Sequence, residues 1–297
     1  MYAAEDRRRR GQGYCRMKKK MTKYLFVIPG FCFFAFAMLI PFVMGINIAF
    51  TNWDGVATEY RYIGLKNFVD IFKDARIRTP FYNTLEFALI GTVVSNVVSL
   101  CLAMLINSKF GKLKSVARTI FFIPVCFSSV LTAFLWKFLY REFISDLFGV
   151  KNLLGNPSWV IPAIVIIGVW NGAGINMLIY LSGLKNIPME LYEAARADGA
   201  NVFQQFTRVT LPLLMPAFSV CVTLTLTSWL KEFATTLSAT GGGPGGASRT
   251  VSIYVYENLY KYYKAGYGQA VSFLFSLCLI VIGLCVSSFF RKREVEL

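Results

Sequence analysis

The sequence predicts an all-α polytopic membrane protein with six transmembrane helices. Three observations predict it. Of the 297 residues, 56% are hydrophobic, above the roughly 45–50% of soluble globular chains. The apolar residues gather into runs long enough for a helix to cross a hydrocarbon core of about 30 Å. Lys and Arg concentrate in alternate connecting segments, the pattern left by the positive-inside rule.

The spans are expected at residues 24–50, 82–106, 117–140, 159–183, 212–236 and 268–290. At these lengths only helices satisfy their own backbone in lipid, since barrel strands are shorter and alternate. Pro29, Pro41, Pro124, Pro162 and Pro216 fall in or near the spans, so kinks are expected there. The first span exceeds a signal-peptide core and has no A-x-A-like site after it, so it is expected to be retained.

Charge gives the orientation. With the N-terminus inside, the inner segments 1–23, 107–118, 184–211 and 291–297 hold nineteen basic residues. The outer segments 51–80, 141–157 and 239–267 hold ten. Both termini are then cytoplasmic. The chain divides into a basic tail (1–23), a six-helix domain (24–290) with a cytoplasmic loop at 187–212, and a short tail (291–297). The net charge of +15 is explained by this bias, and "RRRRGQGYCRMKKK" (7–20) reads as a topogenic tail rather than a nucleic-acid patch.

Several chemistries are excluded. Histidine is absent, which removes imidazole bases and His metal ligands. The seven cysteines form no CxxC pair and read as small apolar packing residues. Gly111-Lys112 is followed by Leu113, and Ile106 stands where a P-loop needs its first Gly. The chain must therefore borrow its energy from another subunit.

The most informative polar stretch is 191–216, "LYEAARADGANVFQQFTRVTLPLLMP". Pro188 suits a first helical turn, and "MELYEAARA" consists of good helix formers. Gly199 is placed to end that helix left-handed. Asn201 and Gln204 form a capping-box pattern for a second short helix, and Pro212 marks the boundary with the fifth span. Ala194, Ala195, Ala197 and Ala200 allow close approach of another surface, to which Glu193 and Asp198 present charge.

These residues carry a resemblance. Glu193-Ala194-Ala195, Gly199 after three more residues, then Val209 and Leu211-Pro212 resemble the EAA signature of permease subunits of binding-protein-dependent ABC importers. "AFTNWDG", "YIGLKNFVDIF", "TGGGPGGASRT" and "YGQAVSFLFSLCLIVI" extend the likeness to the carbohydrate-uptake, maltose-type class over about residues 24–290. One departure is visible. The class ends its fifth span in Lys-x-Phe-Asp, whereas here Lys231-Glu232-Phe233 is followed by Ala234.

The resemblance implies a maltose-type permease fold in a prokaryotic plasma membrane, forming half of a sugar pathway. It implies a second homologous permease, two cytoplasmic ATPase subunits, an extracytoplasmic solute-binding protein, and no bound cofactor or nucleic acid. ATP and Mg would be used by the ATPase. Glu193, Ala194, Ala195, Asp198, Gly199, Ala200, Leu211 and Pro212 would then couple ATPase closure to the membrane helices. The chain itself would not be an enzyme.

The substrate path is sought among polar and aromatic residues inside spans. Trp170, Asn171, Asn176, Trp229, Lys231 and Glu232 are the candidates, with Thr227 and Ser228 beside them. They could stack on sugar rings and bond hydroxyls, or bind neighbouring helices to each other. Glu86 and Lys137 lie near span ends and read as snorkelling residues. "GGGPGG" (241–246) reads either as a hinge or binding-protein contact, or as a flexible turn. The Tyr-rich segment 254–268 reads as a headgroup anchor. Non-sugar solutes of glycerol-phosphate or polyamine type are the alternative substrates. An ion-coupled secondary transporter is the rival class, but it would need membrane-buried acids, which are scarce here.

Overall fold

The computed structural model describes residues 27–109, 113–144, 149 and 152–291. The basic N-terminal tail, Cys15 and residues 292–297 lie outside the described residues. Four helices are long and apolar enough to span a membrane: α1 (Val27–Ala49), α3 (Arg78–Lys109), α6 (Val160–Lys185) and α12 (Ala265–Arg291). Two bent pairs bring the number to as many as six if each is one span, namely α4 (Lys114–Cys126) with α5 (Ser129–Ile144), and α8 (Val202–Leu213) with α9 (Met215–Leu230). Shorter helices are α2 (Lys66–Lys73), α7 (Met189–Ala197), α10 (Ala234–Thr240) and α11 (Val251–Tyr260). There is no sheet among the described residues, only one isolated bridge between Thr51 and Tyr62.

The bends correct two of the expected spans. Residues 117–140 are not one helix, because the chain turns by 101° between α4 and α5. Pro124 interrupts the amide ladder there, and Ser128 restarts it by accepting from the Leu131 N–H. Residues 212–236 are likewise interrupted twice. A 71° bend at Leu214 separates α8 from α9, two residues beyond the boundary expected at Pro212. Lys231–Phe233 then separate α9 from α10. Pro162 and Pro216 sit in the first turns of α6 and α9, where a missing N–H has no partner to lose.

The helix α6 is the central post, with 56% of its apolar stretch buried. α3 lies along it through small residues: Ala88 and Ala103 on α3, Ala163 and Ala173 on α6, all buried. Ser99 donates to the Ala173 carbonyl at 3.1 Å. Small side chains let the backbones close up, the usual basis of helix packing in lipid. The same logic fixes Trp229 of α9. A Cβ on Gly91 of α3 or Gly168 of α6 would overlap its indole, and its N–H donates to Ser95 at 3.0 Å. Deeper in the bundle, Tyr180 donates to Asn96 at 2.6 Å and Asn96 donates to Thr225 at 2.8 Å, joining α6, α3 and α9.

One end of the bundle holds Ala103, Ile106, Ala117, Leu184, Ile187 and Leu214 in a single core. This is the end of the EAA loop. The opposite end is closed by Ala49, Ile71, Val251, Tyr254 and Ala270. By contrast, none of the apolar stretch of α1 is buried within the chain.

Two further expectations need correction. Of the described cysteines only Cys221 is buried; Cys32, Cys101, Cys126, Cys278 and Cys285 face outward from apolar helices, where the surroundings are lipid or another subunit. The Tyr-rich segment is not simply a headgroup anchor. Tyr254 is buried, and both Tyr254 and Tyr267 donate to Asp74, at 2.8 and 3.1 Å.

Candidate functional site

Two regions carry the residues that sequence reasoning selected. The first is the loop between α6 and α9. Pro188 caps α7, one position before its first turn. Gly199 has φ +77° and ends α7, with its N–H on the Arg196 carbonyl at 3.0 Å. Asn201 and Gln204 form the full capping box at the start of α8, with bonds of 2.9 and 2.8 Å. These are short-range bonds, and so they were legible from spacing.

The loop is tied to the bundle through few side chains. Tyr192 bonds Thr210 at 2.9 Å and packs with Val209 against the core that includes Ile187 and Leu214. Glu193, Ala194, Asp198 and Gly199 are exposed, while Ala195, Ala200, Leu211 and Pro212 are half-buried. Leu211 and Pro212 therefore belong to the joint with α9, not to the free surface. No ion pair within the chain holds Glu193, Arg196 or Asp198 among the described residues. Sequence reasoning missed Val202 and Phe203, which are 82% and 73% exposed. Two apolar residues directly after an N-cap, on a helix too short to bury them, were the available signal.

The second region is a polar recess of about 410 Å³ between α3, α5, α6 and α9. It collects Asn171, Asn176, Trp229 and Glu232 from the candidates, together with Ser228. Trp170 and Lys231 do not line it. Trp170 stacks on Phe127 at 6.3 Å and meets Trp136 edge-on at 5.9 Å, and Lys231 is exposed. Ser95, Ser129, Thr225 and Thr235 also line the recess. Sequence reasoning did not single these out, because a hydroxyl in an apolar span gives no local sign of which face it occupies.

Several candidates are engaged structurally. Asn171 donates to the carbonyls of Pro124 and Phe127, at 2.8 and 3.2 Å, and to Thr132 at 3.1 Å. It thus satisfies backbone groups freed where α4 breaks from α5, as a membrane-embedded break requires. Glu232 accepts from the Thr236 N–H at 3.0 Å and so caps the start of α10. The indole of Trp229 is enclosed between α3 and α6 and stacks on Phe87 at 6.3 Å, which leaves little ring face toward the recess. Asn176 and Ser228 are the candidates lining it for which no side-chain anchor of this kind is seen among the described residues.

The loop at 241–250 lies at the other end. Gly241, Gly242, Gly245 and Gly246 all have positive φ, which L side chains adopt only under strain. Asn83 of α3 donates to the carbonyls of Gly246 and Arg249, at 2.9 and 3.0 Å. Ser248 and Thr250 are fully buried and donate to the carbonyls of Gly243 and Glu232, at 2.6 and 2.9 Å. The loop is therefore tied to α3 and to its own buried hydroxyls. Next to it, Arg249 meets the buried Glu257 at 3.2 Å as an ion pair without hydrogen-bond alignment. Among the described residues, no group of His, Cys, Asp and Glu could hold a metal ion.

With this geometry in view, comparison with known proteins is specific. Residues 95–292 match the family described as binding-protein-dependent transport system inner membrane component. The probable starch degradation products transport system permease protein AmyD of Thermoanaerobacterium thermosulfurigenes is 32% identical, over 94% of this chain and 97% of that protein. The trehalose/maltose transport system permease protein MalF of Thermococcus litoralis is 30% identical, over 90% of this chain and 94% of that protein. Among solved structures, a chain of a bacterial ABC transporter involved in import of the acidic polysaccharide alginate superposes with a TM-score of 0.80. It is 23% identical and covers 94% of this chain and 98% of its own, a likeness of fold.

Proposed function

The chain belongs to the family of inner membrane components of binding-protein-dependent transport systems, and from that premise we propose that it is one of two permease subunits of an ATP-driven oligosaccharide importer. It is a multi-pass protein of a prokaryotic plasma membrane. The sugar class is supported by the names of its relatives. In this reading the termini and the EAA loop face the cytosol, two ATPase subunits bind there, and a solute-binding protein docks at the end that carries residues 241–250. The chain binds no cofactor of its own; ATP and Mg act in the ATPase.

One observation carries the reading. The α7–Gly199–α8 unit is held together by its own caps, yet it presents Glu193, Asp198, Val202 and Phe203 outward, exposed among the described residues. That is a rigid knob made for a cleft on another protein. The ATPase dimer changes shape as it binds ATP, and if its cleft fits the knob better in one state, that difference shifts the permease between its two conformations. Tyr192, Val209 and Leu211-Pro212 would pass the motion into α9, one wall of the recess. Asn176, Ser228, Glu232 and Thr235 would face sugar hydroxyls as this chain's half of the path.

The test is purification of the complex from native membranes, followed by uptake in vesicles. The expected composition is one homologous permease and two ATPase copies per chain, and Glu193→Lys should shed the ATPase while the permease pair stays together. A chain that purifies alone and transports in vesicles without ATP would instead be an ion-coupled carrier.

A further inference from the structure

Beside the bundle end that holds residues 241–250, α2 runs as a short amphipathic helix. Asn67 and Ile71 are buried on one face. Leu65, Val69 and Phe72 form a stripe on the opposite face, and they are 65%, 48% and 82% exposed. A stripe of that kind is out of place in water. It also lies beside the ends of two spans: Asn67 donates to the carbonyl of Ala49, the last residue of α1, at 2.8 Å, and the Gly266 N–H at the start of α12 donates to the Trp53 carbonyl at 2.9 Å.

Next to the stripe is a cleft of about 490 Å³ whose walls include Lys66, Lys73, Lys264, Trp53 and Tyr263. Two acids also line it. Asp74 is committed: Arg76 pairs with it at 2.9 Å, Tyr254 and Tyr267 donate to it, and the Arg76 guanidinium holds its carboxyl well below the usual range. Asp70 remains. Three lysines with no ion pair among the described residues therefore face one available carboxylate, so the cleft favours an anion. Tyr263 is exposed at the rim in a left-handed backbone conformation, φ +51°.

We propose that α2 lies in the membrane interface with Leu65, Val69 and Phe72 among the acyl chains, and that the adjoining lysine cleft binds the phosphate of an anionic phospholipid. The basic side chains, the apolar stripe beside them and their level at the ends of two spans match the two parts of such a lipid. A soluble phosphate compound would satisfy the lysines but not the stripe. The proposal needs only that the chain spans a membrane. It holds whichever way the chain faces and whatever it transports.

The experiment uses the full-length chain with its co-purifying subunits in nanodiscs of equal phosphatidylglycerol and phosphatidylcholine. Retained lipid is counted by native mass spectrometry. Wild type should retain phosphatidylglycerol about tenfold over phosphatidylcholine. Lys66→Gln/Lys73→Gln/Lys264→Gln should bring the two to parity, and the triple Arg variant should keep the preference. Millimolar glycerol phosphate should displace nothing. A photo-crosslinking residue at position 72 should label lipid. Equal retention of both lipids by wild type, an unchanged preference in the Gln variant, or a lost preference in the Arg variant would overturn the proposal. So would displacement by glycerol phosphate, which would make the ligand a soluble anion, or labelling of a protein subunit from position 72.

Discussion

The loops at 187–212 and 241–250 close opposite ends of the same bundle, and they are built on opposite plans. In the first, the bonds that shape the turn come from within it: Asn201 with Gln204, Gln205 on the Ala200 carbonyl, Tyr192 with Thr210. Its tip is exposed and charged. In the second, bonds within the loop such as Ser248 to the Gly243 carbonyl are joined by bonds to distant elements: Asn83 of α3 donates to the Gly246 carbonyl, Thr250 donates to the Glu232 carbonyl before α10, and the Val251 N–H just beyond the loop donates to Thr84 of α3. The difference separates two roles. A segment that is ordered by itself and left uncovered can serve as a docking knob, whereas one sewn into distant helices is part of the frame. Composition alone suggests the reverse, since six residues of Gly and Pro look looser than a helix pair.

Four substitutions test that contrast, beginning with the largest effect. Gly199→Asp should reduce ATP-driven uptake by about tenfold or more while the chain still inserts. A Cβ there meets nothing within 4 Å, and the left-handed backbone costs about 1–2 kcal/mol, so thermal unfolding should move little. Normal uptake by this variant would remove the loop from the coupling pathway.

Asn83→Ala should do the opposite. It takes the Asn83 donor from the Arg249 carbonyl and leaves the Gly246 carbonyl with the Arg249 N–H alone, at a cost of about 1–3 kcal/mol. Thermal unfolding in detergent should fall, and proteolysis should open residues 241–250 first. Unchanged resistance there would mean that the frame does not depend on α3.

Asp74→Asn sharpens the comparison at the frame end, where the carboxylate gathers Arg76, Tyr254 and Tyr267. Loss of its charge should cost about 1–3 kcal/mol near neutral pH. The sign with pH follows from its lowered pKa. The stabilisation is full above the ordinary carboxylate range, near 4, and is lost as pH falls through the folded value. The gap between wild type and variant in melting temperature should therefore narrow only under strong acid. A gap that closed by pH 5 would contradict the paired-carboxylate geometry.

The smallest effect is expected for Asn201→Ala, which removes the cap of α8 and costs about 1 kcal/mol. Hydrogen exchange should rise locally in α8, with global unfolding nearly unchanged. A global loss comparable to that of Asn83→Ala would erase the distinction between the two loops.

Much of the molecule was legible in advance wherever the signal was short-range. The apolar runs marked the four long spans and the two bent pairs. Gly199 and the Asn201–Gln204 box fixed the turn and the second helix, because both act within a few residues of themselves. The recess was only partly legible. Asn171, Asn176, Trp229 and Glu232 stood out as polar or aromatic groups in apolar runs, but nothing local separated them from Trp170 or Lys231, which point elsewhere.

By itself, then, the sequence determined that the chain lives in a membrane, where its apolar runs and polar loop fall, and that it carries no imidazole or P-loop chemistry. The tertiary structure decided which spans break, by 101° at α4–α5 and 71° at α8–α9. It also decided that Asn171 repairs the first break from 44 residues away at Phe127, and that Asn83 clamps a glycine loop 163 residues on. The physical reason is one of range. Helix periodicity, caps and charge bias act between near neighbours, whereas the partner of a freed carbonyl in lipid is whichever distant side chain the packed helices bring to it.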